Sequence, residues 1–125
     1  MIVMNAAIWP QCSVLIVGKL PLIMKMTDTS KYSYLLVIIE MLLNSREARN
    51  VMEQECCQMV LRLVKETRTS EMELQSATIF ELLTLVKTAK PVIKEEVSYY
   101  EEAVKTMDVS SPLRPIYLRV STRKL

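Results

Sequence analysis

The chain of 125 residues contains a single glycine, Gly18. β-Sandwiches, β-barrels and dinucleotide-binding α/β folds use glycine wherever a turn needs a positive φ or the backbone approaches a ligand closely. One glycine cannot serve those positions, so the sequence argues against these architectures. Half of the residues are hydrophobic, and the abundant ones are mostly good helix formers. We therefore predict an all-α domain, since a chain of this length buries roughly two thirds of its unfolded surface.

Residues 1–26 are strongly apolar, and no charged side chain occurs before Lys19. A membrane-spanning helix needs about 20 uninterrupted apolar residues, whereas Pro10, Gly18 and Pro21 interrupt this segment. A secretory signal would carry basic residues ahead of its apolar stretch, and none is present. We predict two short buried helices that form a degraded or capping repeat. The alternative is a membrane-associated helical protein anchored by this segment.

Polar breaks divide the following part of the chain into predicted helices. Residues 31–44 are nearly all apolar, which indicates a helix that is buried on most sides. Ser45 is placed to cap the next element, which covers residues 45–66. This element forms either one long helix or a short helix that bends into a second one near Glu53.

The second half of the chain carries clear signals for helix starts. Ser70 and Glu73 have the spacing of a capping box, which predicts a helix over about 71–89. Pro91 is suited to the first position of a new helix, where its missing N–H costs nothing. We predict that this last helix runs to about Met107.

The tail, residues 108–125, contains two prolines and is predicted to be irregular, extended or loosely packed. It holds four basic residues and one acidic residue, whereas the body before it is nearly balanced in charge. The folded body is therefore not predicted to bind nucleic acid. Ser121 and Thr122 follow Arg119 in a context that basophilic kinases often accept, and a phosphate there would cancel much of the tail's charge. They are candidate regulatory residues.

The chain repeats itself when it is displaced by 41 residues. Residues 36–55 (LVIIEMLLNSREARNVMEQE) then align without a gap with residues 77–96 (ATIFELLTLVKTAKPVIKEE). Identical pairs include Glu40 and Glu81, and other pairs keep their apolar or basic character. The period predicts a helical-repeat array, because HEAT and armadillo arrays use units of about 40–47 residues.

The order of elements within each unit resembles that of the armadillo family. A long apolar helix is followed by a short connecting helix, with the pattern NVMEQE or PVIKEE, and then by an amphipathic helix. The resemblance covers about residues 31–107, within a repeat domain of residues 27–107, and leaves armadillo and HEAT-like subtypes open. Glu55 and Glu96 stand near the place where armadillo repeats often carry a glycine. The resemblance implies a short α-solenoid of about five to seven helices; a chance bundle of four or five helices is the alternative.

The resemblance to armadillo-like proteins also implies a function, that of a non-enzymatic protein-interaction scaffold or adaptor. The chain would be the terminal part or a short isoform of a longer helical-repeat protein, and its apolar N-terminal face would favour self-association. A groove would hold an extended or basic partner segment through side-chain hydrogen bonds and apolar pockets. The candidate partner-binding residues are Glu40, Asn44, Gln75, Thr78 and Glu81.

No catalytic, cofactor-binding or metal-binding residue is predicted. The chain has no histidine, which removes imidazole-based catalysis and imidazole zinc ligands. Its three cysteines, an odd number, do not suggest a disulfide framework. Reduced, buried thiols are expected, and they indicate a cytoplasmic or nuclear protein.

Overall fold

The structure is a computed structural model that describes residues 10–123. Over this range the chain is all-helical, with eight α-helices and no strand. The helices are α1 (Pro10–Met26), α2 (Tyr32–Leu43), α3 (Arg46–Val51), α4 (Gln54–Thr67), α5 (Glu73–Leu83), α6 (Lys90–Ile93), α7 (Val97–Thr106) and α8 (Arg114–Ser121). Two 3₁₀ turns, Thr29–Lys31 and Lys87–Ala89, lie between them. The prediction of an all-α fold is confirmed, with more helices than the five to seven expected.

The apolar N-terminal segment forms one helix, α1, where the sequence predicts two. Gly18 and Pro21 both lie inside it, although a proline within a helix removes a backbone hydrogen bond and costs about 3 kcal/mol. Val17 and Leu20 are buried against the rest of the fold. Each buried side chain of this size contributes roughly 1.5–3 kcal/mol, so tertiary packing outweighs the local signals. The rest of the predicted segment, residues 1–9, lies outside the described residues.

The capping role predicted for Ser45 is confirmed, because its Oγ accepts a hydrogen bond of 3.3 Å from the N–H of Ala48 at the start of α3. Of the two alternatives for the following element, the bent one is observed. Met52 and Glu53 are extended and separate α3 from α4. Met52 is buried, and its carbonyl accepts a hydrogen bond of 2.6 Å from the hydroxyl of Thr88.

The predicted boundaries after α4 need correction. Ser70 forms no capping box with Glu73; its Oγ accepts a hydrogen bond of 3.1 Å from the N–H of Met72, inside the turn. The helix predicted over about 71–89 ends early, because Val86 turns inward in an extended conformation and is buried. The next predicted helix is also broken. It consists of α6 and α7, which are separated by a turn.

The C-terminal tail contains a helix, α8, where the sequence predicts an irregular, extended segment. Proline opposes a helix only in its interior, and Pro115 lies in the first turn of α8, where it is compatible with the helix. Ile116, Tyr117 and Val120 are buried, and α8 packs against α5 and α7. The predicted tail is therefore part of the folded body.

The helices recur at regular intervals along the chain. The three helices α2, α5 and α8 begin at Tyr32, Glu73 and Arg114, each 41 positions after the last. They also lie side by side, since α2 packs on α5 and α5 packs on α8. Leu42 and Leu83, which occupy the same position in α2 and α5, are both fully buried. One continuous apolar core runs through the described helices.

Candidate partner-binding face

The outward sides of α2, α5 and α8 form one surface, which we call the partner face. Each of these helices turns a fully or largely buried side toward the core and leaves the opposite side accessible. The partner face carries large apolar side chains that remain exposed, namely Tyr34, Leu74, Leu85 and Leu118. Exposed apolar groups gathered on one surface are typical of a site that binds another molecule.

The structure places all five predicted partner-binding residues on this face. Glu40 lies on α2 and Asn44 caps its C-terminal end, while Gln75, Thr78 and Glu81 lie on α5. Asn44 is exposed and the other four are half-buried. Because α2 packs directly on α5, the two groups lie on neighbouring helices, whose axes are about 8–10 Å apart in packed pairs.

Two of these polar side chains are held by local hydrogen bonds. The Nδ2 of Asn44 donates to the backbone carbonyl of Glu40 at 2.9 Å. The hydroxyl of Thr78 donates to the carbonyl of Leu74 at 2.9 Å. Both groups keep acceptor lone pairs that a partner can use, so these bonds orient the side chains without closing the site.

Glu81 is engaged within the chain. Arg119 of α8 donates from Nε to Oε2 at 2.5 Å and from Nη2 to Oε1 at 3.1 Å, and Arg123 lies 3.7 Å from Oε2. The hydrogen bond from Arg119 is the main reason that the pKa of Glu81 is lowered from its ordinary value. The side chain of Glu81 is only 16% exposed. Its carboxylate therefore joins α5 to α8 and is not free to bind a partner.

Glu40 is the contrasting case on α2. Its carboxylate forms no ion pair with any residue between 10 and 123. The equivalent of Arg119 beside it is Thr78, which carries no charge. Of the two glutamates that recur 41 residues apart, only Glu40 presents a carboxylate that a basic partner group can pair with.

The two candidate regulatory residues lie at the end of α8. The hydroxyl of Ser121 donates to the carbonyl of Leu118 at 2.9 Å, and that of Thr122 donates to the carbonyl of Arg119 at 3.0 Å. Thr122 is exposed, and it follows the arginine that binds Glu81. A phosphate there would compete with the Glu81 carboxylate for arginine side chains.

A second polar cluster joins α4 to the turn before α7, and the sequence does not predict it. Arg68 donates to Glu96 at 2.7 Å, and Lys65 lies 3.2 Å from the same carboxylate. Burial alone would raise the pKa of Glu96, but the hydrogen bonds from Arg68 and Lys65 outweigh it and the pKa is lowered. The guanidinium of Arg68 also stacks 3.7 Å above the ring of Tyr99. The cluster is structural, since every member is paired.

Comparisons with known proteins place no relative beside this geometry: family models, curated proteins and solved structures were searched, and none matches the chain. None of the helices between residues 10 and 123 is long and apolar enough to cross a membrane.

The cysteines do not form a reactive or metal-binding site in the described part of the chain. Cys56 and Cys57 are buried and unpaired, and Cys12 is half-buried. Burial raises the pKa of Cys56 to about 12, so its thiol stays protonated and is a poor nucleophile. No group of three or more metal-ligating side chains occurs among residues 10–123.

Proposed function

We propose that this chain is a non-enzymatic protein-interaction scaffold, built as a short armadillo- or HEAT-like solenoid that holds an extended partner segment on the partner face. The observation that carries the proposal is the regular placement of α2, α5 and α8, which begin 41 residues apart and pack side by side. Arrays of this kind present equivalent helix faces next to one another as an extended binding surface.

Burial at equivalent positions supports the solenoid. Ala48 and Ala89, which lie 41 residues apart, are both fully buried, and so are Met52 and Ile93 to within 1%. The strongest packing between helices joins elements of neighbouring units, as in α4 with α5 and α7 with α8. A solenoid buries its core in this way, because each unit contacts only its neighbours.

The chemistry of the partner face suggests the kind of segment that it binds. Tyr34 and Leu74 supply exposed apolar area on neighbouring helices, and Glu40 supplies an unpaired carboxylate between them on the same side. An extended peptide with apolar side chains and a lysine or arginine matches this pattern. With free cysteines at all three positions, we place the scaffold in the cytoplasm or nucleus.

A phage-displayed library of random peptides tests the proposal with the purified chain as bait. We expect enrichment of peptides that combine basic and apolar residues. Glu40→Lys should weaken binding of a selected peptide at least tenfold, which is about 1.4 kcal/mol. Glu81→Lys is unsuitable, because it would break the contact between α5 and α8.

The control is Glu101→Lys, which makes the same charge change at an exposed position of α7. Fluorescence polarisation of a labelled peptide gives the affinity of each variant. Equal affinity for the Glu40→Lys and Glu101→Lys proteins, or no enriched peptide, would reject the partner face as the binding site.

A further inference from the structure

The outward side of α1 is unusual among the described helices because it is apolar. Leu15 is 72% exposed, Leu22 56% and Met26 77%. Their spacing of seven and four residues places them on one side of the helix. Lys19 and Lys25 are exposed beside them.

Helix α1 is the counterpart of α4, displaced by 40 residues. Val17 and Leu20 are buried, and so are Cys57 and Val60, which lie 40 positions later. The two helices also end alike. The hydroxyls of Thr27 and Thr67 each donate to the carbonyl four residues earlier, at 2.6 Å and 2.8 Å.

This correspondence shows what the outward side of such a helix normally carries. On α4 the positions equivalent to the three exposed apolar residues of α1 are Glu55, Arg62 and Glu66, all exposed. One unit further on, beside and within α7, they are Glu95, Glu102 and Thr106, again exposed. The position of Lys25 keeps its charge, as Lys65 and Lys105.

A missing neighbour in the array does not account for the apolar side of α1. Helix α4 has α1 packed against it, and its own outward side still faces solvent and is charged. An additional unit placed before α1 would leave Leu15, Leu22 and Met26 uncovered in the same way. Something other than a helical unit of this array covers them.

The charge of α1 indicates which kind of surface covers it. The helix contains Lys19 and Lys25 and no acidic residue. The nine residues before it carry no charged side chain, and the first acidic residue of the chain is Asp28. The nearest carboxylates on the flank toward α4 are Glu53 and Glu55, which lie beside Gly18 and Pro21.

We propose that α1 docks on an anionic membrane surface. The helix lies in the plane of the interface, with Leu15, Leu22 and Met26 at the boundary of the acyl chains. Lys19 and Lys25 bury their stems along the apolar surface and keep their ammonium groups among the headgroups. The body of the protein, on the opposite side of α1, keeps the partner face accessible. The scaffold is thereby held at a membrane without crossing it.

Vesicle flotation tests this proposal with the full chain. The probes are vesicles of phosphatidylcholine alone and vesicles with about one third phosphatidylserine. The test variant is L15E/L22E/M26T, which gives α1 the residues present at the equivalent positions one and two units later. We expect the unaltered chain to float with the anionic vesicles and the variant to lose at least about tenfold in partitioning.

The control is T69E/V109E, which adds the same two negative charges at exposed positions away from α1. It should float as the unaltered chain does. Circular dichroism checks that both variants keep their helical content, which is expected because every substituted side chain is exposed.

Three outcomes would overturn the proposal. The first is that the unaltered chain fails to float with anionic vesicles, and the second is that L15E/L22E/M26T floats equally well. The third is a concentration-dependent dimer of the unaltered chain, seen by light scattering, that the variant loses while neither protein binds vesicles. That result would assign the apolar side of α1 to a second copy of the chain.

Discussion

Glu40 and Glu81 occupy equivalent positions on α2 and α5, yet their carboxylates meet different neighbours. Arg119 on α8 binds Glu81 with two hydrogen bonds, whereas Thr78, at the matching position of α5, leaves Glu40 without a cation. The role of each glutamate is thus decided by one residue on the next helix. The repeat reveals the shared position but not this difference.

The paired state of Glu81 predicts how stability depends on pH. Because its folded-state pKa is lowered, the carboxylate stabilises the fold above its unfolded pKa of about 4.3. This contribution is lost as the pH falls through the lower, folded-state pKa. We expect Glu81→Gln to lower the Tm at pH 7 by about 2–5 °C, and the difference from the unaltered chain to shrink below about pH 4.

Thermal unfolding followed by circular dichroism measures this difference across the pH range. The matched control is Glu40→Gln, which removes a carboxylate that has no ion-pair partner among residues 10–123 and should change the Tm little. Equal effects of the two substitutions at neutral pH would mean that Arg119 does not stabilise the fold through Glu81.

At the scale of elements, α8 shows how packing overrides a local signal. Tyr117 of α8 meets the ring of Tyr100 edge-on at 4.7 Å between centroids, and Tyr100 stacks on Phe80 of α5 at 4.4 Å. This aromatic stack joins α5, α7 and α8. Two prolines and few apolar residues favour an extended tail, but the stack and the ion pairs of Glu81 hold the segment as a helix.

Truncation of the stack tests whether α8 is docked. We expect Tyr117→Ala to destabilise the chain by about 3 kcal/mol, because it removes a large side chain that is 3% exposed. Leu118→Ala, at the next and more exposed position, should cost less than about 1 kcal/mol. Urea unfolding gives both values. Similar small losses for the two variants would contradict the docked helix.

At the scale of the whole molecule, packing passes from each helix to the next unit. Helix α1 packs on α3, α2 on α5, and α8 on α5 and α7. The two ends of the chain are therefore connected mainly through the elements between them. In such a quasi-linear arrangement, stability is approximately a sum of units and of the contacts between neighbours.

This arrangement predicts local unfolding from the C-terminal end. In the Tyr117→Ala protein we expect amide hydrogen exchange to speed up in α7 and α8, while the helices α2–α4 keep their protection. Exchange read by mass spectrometry of peptic fragments resolves these regions. A uniform loss of protection along residues 10–123 would indicate a single cooperative bundle and would contradict the solenoid proposed here.

The sequence by itself determined the helical class and the repeat period, since both depend on local composition and on apolar spacing. It also placed the cap at Ser45 and the five polar residues of the partner face on one surface. Where helices break, how α1 passes through Gly18 and Pro21, and that the tail folds as α8 were decided only by tertiary packing. The reason is energetic. A local helix signal is worth about 1 kcal/mol or less per residue, apart from proline, whereas burying one large side chain is worth roughly 1.5–3 kcal/mol, so contacts between distant segments prevail.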